Sequence, residues 1–163
     1  NVFNFEDKVT YTSFSRKISD NLVEWMILFY IGGERKKDIQ KGFSKLTSDQ
    51  IAILHEMKKR VTIVANNINA GYFVFVCELL NDTWELKKKS NKGVSNERVD
   101  GVYSFAKENG AIGGKILGAG GAGYMMFIVK PEDRKYLINK MKTKGVEQVD
   151  FSIDFQGVEA RIV

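Results

Sequence analysis

The chain has 163 residues, of which 44% are apolar and 28% charged, and its formal net charge is +5. This length and composition are typical of one globular domain. They exclude long disorder, because aromatic residues are spread along the whole chain, and a membrane-spanning helix, because the longest apolar runs hold six or seven residues where a span needs about 18.

The first half of the chain predicts a hairpin, a short helix, a strand and two long helices. Apolar and polar residues alternate on either side of a turn at Asp7–Lys8, which predicts a hairpin or two short strands. A helix over Ile18–Glu24, capped by Ser19 or Asp20, precedes an apolar run at Trp25–Ile31 that is typical of a buried strand.

The two long helices are separated by Gly71. Thr47 and Gln50 fit a capping box at the start of the first helix. Its apolar residues recur at spacings of three and four and predict one buried face: Ile51, Leu54, Met57, Val61, Val64 and Ile68. The second helix is expected over Tyr72–Lys89.

In the second half, Ser95 or Asn96 caps a further helix that Asn109–Gly110 closes. Its apolar stripe is Val99, Val102, Tyr103 and Ala106. A strand over Lys115–Leu117 leads into a glycine-rich loop, and a strand over Tyr124–Val129 leaves it.

The last part predicts one more helix and a closing hairpin. Pro131 suits the first position of the helix, whose buried side is Leu137, Ile138 and Met141. The alternation over Val149–Phe155, a turn at Gln156–Gly157 and a return alternation predict the hairpin. Short turns between strands favour antiparallel pairing, so the expected fold class is α+β: one sheet of about four strands with helices on one face.

The segment GGKILGAGGAGYMMFIV, over Gly113–Val129, carries the clearest chemical signal. Its six consecutive small residues permit positive φ angles, and their N–H groups can form an anion site that no side chain blocks. The spacing of Gly118, Gly120 and Gly123 fits G-x-G-x-x-G, but a strand follows, so a dinucleotide fingerprint is not expected. The alternative is a glycine-rich hairpin loop packed under a helix.

This segment resembles the C-terminal motif of the galactokinase–homoserine kinase–mevalonate kinase–phosphomevalonate kinase (GHMP) superfamily, a K-x-x-G-A-G-G-G-G run between two strands. Lys115 and Gly118–Gly123 match it, with Ala122 in place of one glycine. The stretches over Leu28–Ile39 and Trp84–Phe127 are similar to heptose 7-phosphate kinases and their fucokinase-like relatives. The resemblance implies that residues 1–163 form one ferredoxin-like GHMP kinase C-terminal domain.

The resemblance also implies that this chain is the C-terminal half of an ATP-dependent sugar kinase. The P-x-x-x-G-L-G-S-S loop with which these kinases hold ATP is absent from this chain, whose one proline is Pro131, and the start at Asn1 fits a piece of a longer protein. The implied reaction phosphorylates the anomeric hydroxyl of a sugar or sugar phosphate. The leading candidate for this substrate is D-glycero-D-manno-heptose 7-phosphate. ATP and Mg²⁺ would be held mainly by the N-terminal kinase domain, the expected partner; neither nucleic acid nor membrane is expected as a partner.

The resemblance places the substrate- and phosphate-binding residues in and around the glycine loop. The expected set is Gly118, Ala119, Gly120, Gly121, Ala122, Gly123, Lys115, Ser95, Asn96 and Arg35. The N–H groups of residues 119–121 would donate to phosphate or sugar oxygens, and Gly121→Val would remove most activity but not the fold. No catalytic base is identified.

Each side chain in this set also has a structural alternative. Ser95 and Asn96 can cap a helix, Lys115 can be a surface residue at a sheet edge, and Arg35, with Lys36 and Lys37, can lie in a solvated loop.

The remaining polar residues of chemical interest are expected to have no role. Lys58–Arg60, Lys87–Lys89 and His55 read as solvated helix faces, and Cys77 as a small buried hydrophobic residue instead of a reactive thiol. One histidine and one cysteine do not make a metal site.

No signal pattern is present at the start of the chain, so the default expectation is a cytoplasmic protein. Two other function classes stay open. One is a stand-alone ferredoxin-like ligand-binding or regulatory module. The other, a basic nucleic-acid binder, is disfavoured because the aromatic residues lie in apolar runs.

Overall fold

The computed structural model describes residues 1–5, 7–33 and 46–156. In this part of the chain a two-stranded hairpin precedes a four-stranded sheet and five α-helices. The expected α+β fold class is confirmed. No helix in these ranges combines the length and the apolar character that crossing a membrane requires.

The chain opens with the predicted hairpin. Strands β1 (Val2–Phe5) and β2 (Val9–Thr12) pair antiparallel. Helix α1 (Arg16–Trp25) follows, and it starts before the predicted Ile18. Its cap is Ser15, not Ser19 or Asp20, because the Ser15 hydroxyl accepts from the N–H of Ile18 at 3.3 Å.

The main sheet contains β3 (Met26–Gly32), β4 (Gly113–Ile116), β5 (Gly123–Ile128) and β6 (Glu147–Val149). Its spatial order is β4-β5-β3-β6, and all three pairings are antiparallel. This is the strand order of the ferredoxin-like fold, so the expected architecture is confirmed.

The remaining helices are α2 (Ser48–Ala70), α3 (Phe73–Ser90), α4 (Glu97–Glu108) and α5 (Arg134–Thr143). The capping box predicted for α2 is confirmed, because the Thr47 hydroxyl accepts from the Gln50 N–H and the Gln50 side chain accepts from the Thr47 N–H. Its predicted buried face is only partly buried: Ile51 and Val61 are exposed, and Ile68 near the C-terminus, 8% exposed, is the one buried residue of the helix.

The core lies between one face of the sheet and helices α3, α4 and α5. The strands contribute Ile27, Phe29, Ile31, Met125 and Phe127 to it. The helices contribute Trp84, Val99, Ala106, Leu137 and Met141. Each large apolar side chain that leaves water there contributes about 1.5–3 kcal/mol to folding. On the opposite face Tyr30 and Tyr124 are 45% and 46% exposed, so the helices cover one face, as predicted.

Helix α3 lies directly on β4 because the strand has glycine at the contact. A Cβ added at Gly113 would lie 2.6 Å from the Cys77 carbonyl oxygen. One added at Gly114 would lie 2.5 Å from Cδ1 of Phe127 and 2.7 Å from the Met126 carbonyl oxygen. The contact at Gly113 therefore places β4 directly against α3, and the contact at Gly114 places it directly against β5.

Two predictions for the C-terminal part are corrected. Pro131 begins a 3₁₀ turn over Pro131–Asp133, and α5 begins only at Arg134. The strand predicted over Val149–Phe155 ends at Val149, because β3 pairs only with Glu147–Val149. The Phe155 ring instead lies under the Arg16 guanidinium, 5.0 Å from its Cζ. The return strand of the predicted hairpin lies outside the described residues.

The buried thiol of Cys77 gives a prediction for alkaline stability. Burial raises its pKa from 9.0 to about 12, and its S–H donates to the Phe73 carbonyl oxygen. The unfolded state therefore loses this proton at lower pH than the folded state, so stability falls as pH rises above about 9. We expect Cys77→Ala to reduce the loss of stability between pH 8 and pH 10 by about 1 kcal/mol, measured by urea denaturation at each pH.

Tyr103 is a second buried group that ionises at alkaline pH, and the same denaturation experiment distinguishes its effect from that of Cys77. Burial raises its pKa from 10.0 to about 12 and its hydroxyl donates to Asn81, so it lowers stability in the same direction, but only above about pH 10. An unchanged stability difference between pH 8 and pH 10 in Cys77→Ala would contradict the assignment to Cys77.

Candidate functional site

The glycine-rich loop over residues 117–122 joins β4 to β5 at one edge of the core. Gly118, Gly120 and Gly121 within it, and Gly123 just after it, have φ angles between 72° and 102°. Only glycine adopts such angles without strain. The small residues are therefore needed for the path of the loop, as the sequence predicts.

Val94, in the segment before α4, fixes the loop from one side. The Gly121 N–H donates to the Val94 carbonyl oxygen at 2.9 Å. A Cβ added at Gly120 would lie 2.5 Å from the same oxygen and 2.8 Å from the Val94 Cα. Val94 is itself fully buried, so the loop is held against the core.

Asn96 holds the loop through a second hydrogen bond. Its Oδ1 accepts from the Val99 N–H at 3.0 Å, which confirms that it caps α4. Its Nδ2 donates to the Gly121 carbonyl oxygen at 2.7 Å. The neighbouring Ser95 hydroxyl donates to Asp100 at 2.7 Å, so α4 is capped by Asn96 alone.

The two roles of Asn96 can be separated by substitution. Asn96→Asp keeps the capping oxygen but replaces the donor to Gly121 with a second oxygen, whereas Asn96→Ala removes both bonds. We expect Asn96→Ala to lower the free energy of unfolding by about 1–2 kcal/mol. Asn96→Asp should lower it by less and should weaken only the hold on the loop. Urea denaturation and amide exchange at Gly121 measure the two effects, and equal effects of both substitutions would contradict the separation.

Lys87 holds the loop from α3. Its Nζ donates to the Gly118 carbonyl oxygen at 2.9 Å, so the prediction of a solvated role for this lysine is wrong. Burial, together with the charge of Lys115, lowers the pKa of Lys87. Lys88, one residue on, forms ion pairs with Glu85 and Asp100 instead.

Arg98 joins the end of β3 to the site. Its Nε donates to the Ile31 carbonyl oxygen at 2.5 Å, and its guanidinium lies beside Gly32. A Cβ added at Gly33 would lie 3.3 Å from Cβ of Ala122 in the loop. The β3 terminus, the first turn of α4 and the glycine loop therefore meet at one place.

Sequence reasoning missed Lys87 and Arg98. Lys87 had a signal: it follows buried Trp84 by three residues, so the helical period continues the inner face of α3 to it. No local sequence signal could have identified Arg98, because it contacts β3 across a separation of 67 residues.

Two backbone donors of the loop have no partner within the described residues. Within the described ranges, the N–H groups of Ala119 and Gly120 have no hydrogen-bond acceptor. The Gly121 N–H is taken by Val94, which removes it from the expected set of donors. Because Gly121 is buried at a φ of 77°, Gly121→Val would strain the fold as well as the site.

The structure brings most of the predicted site residues together. The loop residues and Asn96 are in mutual contact, and the charge of Lys115 acts on Lys87. Ser95 bonds to Asp100 and not to the loop. Arg35, with Lys36 and Lys37, lies outside the described residues. In the ranges that the structure describes, no group of three or more histidine, cysteine or acidic residues could hold a metal ion.

The site is a glycine loop between two antiparallel strands of a ferredoxin-like sheet, held by lysine and asparagine side chains. Residues 76–147 match the family described as GHMP kinases C terminal. This segment, which holds α4, the glycine loop and α5, is therefore similar to the C-terminal domain of GHMP kinases.

Three relatives illustrate the similarity. The chain is 27% identical over 146 residues to a D-glycero-alpha-D-manno-heptose 7-phosphate kinase from Campylobacter jejuni, covering 88% of this chain and 43% of that protein. It is 30% identical over 99 residues to an L-fucokinase/L-fucose-1-P guanylyltransferase from Bacteroides fragilis, covering 61% of this chain and 10% of that protein.

The third relative is a solved structure. The crystal structure of a D-glycero-D-manno-heptose 1-phosphate kinase from Bacteroides thetaiotaomicron superposes with a TM-score of 0.58 at 21% identity, covering 87% of this chain and 37% of that one. This similarity supports the fold. The chain spans less than half the length of each of these relatives.

Proposed function

We propose that this domain is the C-terminal half of an ATP-dependent sugar kinase and that its glycine loop closes the active-site cleft over the phosphate to be transferred. The observation that carries the proposal is the loop itself. Its free amides at Ala119 and Gly120 are presented by a backbone held at Val94, Asn96 and Lys87. Fixed donors of this kind stabilise developing charge without having to reorganise during the reaction.

The chemistry of phosphoryl transfer fits such a domain. Mg²⁺-ATP supplies the γ-phosphoryl group and neutralises part of its charge, and the protein contributes position and electrostatic stabilisation. In this chain the amide donors would orient phosphate or sugar oxygens, and the small loop residues would let them approach. The divalent ion is proposed to be held mainly by the N-terminal kinase domain.

The proposed substrate is a heptose phosphate, phosphorylated at its anomeric hydroxyl. Sequence similarity over 88% of the chain to a heptose 7-phosphate kinase supports this choice. The shorter match to a fucokinase makes fucose the next substrate to compare. The proposed partner is an N-terminal kinase domain that holds ATP, and the proposed location is the cytoplasm.

The first test is the length of the complete gene product, from intact mass and N-terminal peptides of the native protein. The same product is then assayed for ATP consumption with D-glycero-D-manno-heptose 7-phosphate, L-fucose and galactose. We expect an N-terminal half with a Gly-Leu-Gly-Ser loop, and turnover with heptose 7-phosphate at least tenfold above that with the other sugars. A gene product without an ATP-binding half and without turnover would favour a stand-alone ligand-binding module instead.

A further inference from the structure

We propose that the β1–β2 hairpin is a docking surface and that the N-terminal half of the complete gene product covers it. The inference rests on the proposed function for the existence of that half. The surface itself rests on the exposure and the packing of described residues. This hairpin surface is formed by Phe3, Phe5, Val9 and Tyr11 of the hairpin and by Val61 of α2.

The first observation is that the large apolar side chains of the hairpin share one face. Phe3 lies opposite Tyr11 in the antiparallel register, and the centroids of their rings are 5.9 Å apart. Phe5 lies opposite Val9 on the same face, because alternate residues of a strand point the same way. These four side chains are between 52% and 76% exposed. A contiguous apolar patch of this kind marks an interaction site on a soluble protein.

The second observation is that the hairpin has little support from the rest of the domain. In the described part of the chain its two strands pair only with each other. Every residue of β2 is exposed, and so are three of the four residues of β1. A two-stranded hairpin is marginally stable in water unless one of its faces is packed. The aromatic face therefore needs a cover.

The third observation is that the surface continues onto α2. An open hollow of about 290 Å³ lies between the hairpin and the long helices, and its apolar lining includes Phe3, Phe14, Val61, Val64 and Leu80. Val61 is itself 46% exposed. Protein interiors are close-packed, so the hairpin side of the molecule is less completely packed than the core between the sheet and α3–α5. A covering segment with an apolar surface would fill this hollow.

The N-terminal half is the occupant that the observations favour over a second copy of the chain. The chain covers only 43% of the similar heptose 7-phosphate kinase, and in the proposed kinase the remaining half joins it at Asn1, next to β1. A segment tethered at that point has a high effective concentration at the hairpin surface. A second copy has no tether and must overcome the full loss of translational and rotational freedom.

Hydroxyl-radical footprinting of the complete gene product tests whether the surface is covered. Tyr11 and Tyr136 are matched probes, because they are 66% and 52% exposed in the domain described here. We expect Tyr11 to be oxidised about tenfold more slowly than Tyr136 in the native product, since the core of an interface excludes solvent. The two rates should become equal in urea. Equal rates in the native product would overturn the docking surface, even where the product is an active kinase.

Photo-crosslinking then identifies the occupant. The complete gene product is prepared with Phe5→benzoylphenylalanine, and with Tyr136→benzoylphenylalanine as the control. We expect the Phe5 variant alone to crosslink, within one molecule, to peptides that precede Asn1. A crosslink between two molecules that is lost on dilution would assign the surface to a second copy, and a crosslink to residues 157–163 would assign it to the C-terminal end; both would overturn the proposed occupant.

Failure of this inference and failure of the proposed function give different results. A product that turns over heptose 7-phosphate but forms no crosslink from Phe5 to its N-terminal half would overturn the docking inference alone. A gene product without an N-terminal half would overturn both.

Discussion

Gly120→Ala is expected to distort the glycine loop and remove most of the kinase activity proposed for the complete gene product. The new methyl group would lie 2.5 Å from the Val94 carbonyl oxygen and 2.8 Å from its Cα, which are backbone atoms that cannot swing aside. Overpacking of this kind costs about 1–3 kcal/mol, and a left-handed backbone adds about 1–2 kcal/mol. A shift of about 1 Å in a group that positions substrate can reduce activity about 100-fold.

Gly123→Ala is the matched control for this prediction. Gly123 has a φ of 101° against 102° at Gly120, but a Cβ at Gly123 has no atom within 4 Å. The two substitutions therefore share the backbone strain and differ in the collision with Val94. We expect the free energy of unfolding to fall by about 1–2 kcal/mol more in Gly120→Ala than in Gly123→Ala. Equal losses in urea denaturation would mean that Val94 does not constrain the loop.

Phe127→Ala is expected to lower the free energy of unfolding by about 3–5 kcal/mol. Its ring is fully buried on the inner face of β5, with ring centroids 6.1 Å from Phe29 and 5.8 Å from Tyr103. It also lies against Gly114 of β4, where an added Cβ would be 2.5 Å from its Cδ1. The cavity left by the ring is enclosed by strands and a helix that cannot collapse into it, so the loss belongs at the upper end of the range.

The control for Phe127 is Phe75→Ala on α3. The Phe75 side chain is 44% exposed, so its removal takes less apolar surface out of the folded state, and we expect a loss below about 1 kcal/mol. The measurement is urea denaturation of both variants at one pH. A Phe127→Ala variant as stable as Phe75→Ala would place the main core elsewhere.

The helices and the sheet could be predicted from the sequence because their signals are local. The capping residues Thr47 and Asn96 and the glycine after α2 mark helix ends through bonds to residues three or four positions away. The ends of the strands could not be predicted in this way, because they depend on pairing with a neighbouring strand that is distant in the sequence. β6 ends at Val149, paired with Leu28, although the apolar and polar alternation of the sequence continues to Phe155.

The glycine loop could be predicted as the centre of the site, but the way it is held could not. Six consecutive small residues are visible in the sequence, whereas the bonds from Val94, Asn96 and Lys87 cross 25 to 31 residues. Lys87 was assigned to solvent because three consecutive lysines usually lie on an exposed helix face. In the structure Lys87 bonds to Gly118, Lys88 pairs with Glu85 and Asp100, and Lys89 alone of the three is exposed.

The bonds that hold the glycine loop determine how the cleft can close. A loop of small residues is commonly taken to be a flexible flap, but this one is tied to α3 through Lys87 and to the start of α4 through Val94 and Asn96. Bending it alone would break all three ties. In the proposed kinase, a closing motion over the substrate would therefore carry the loop together with α3 and the start of α4.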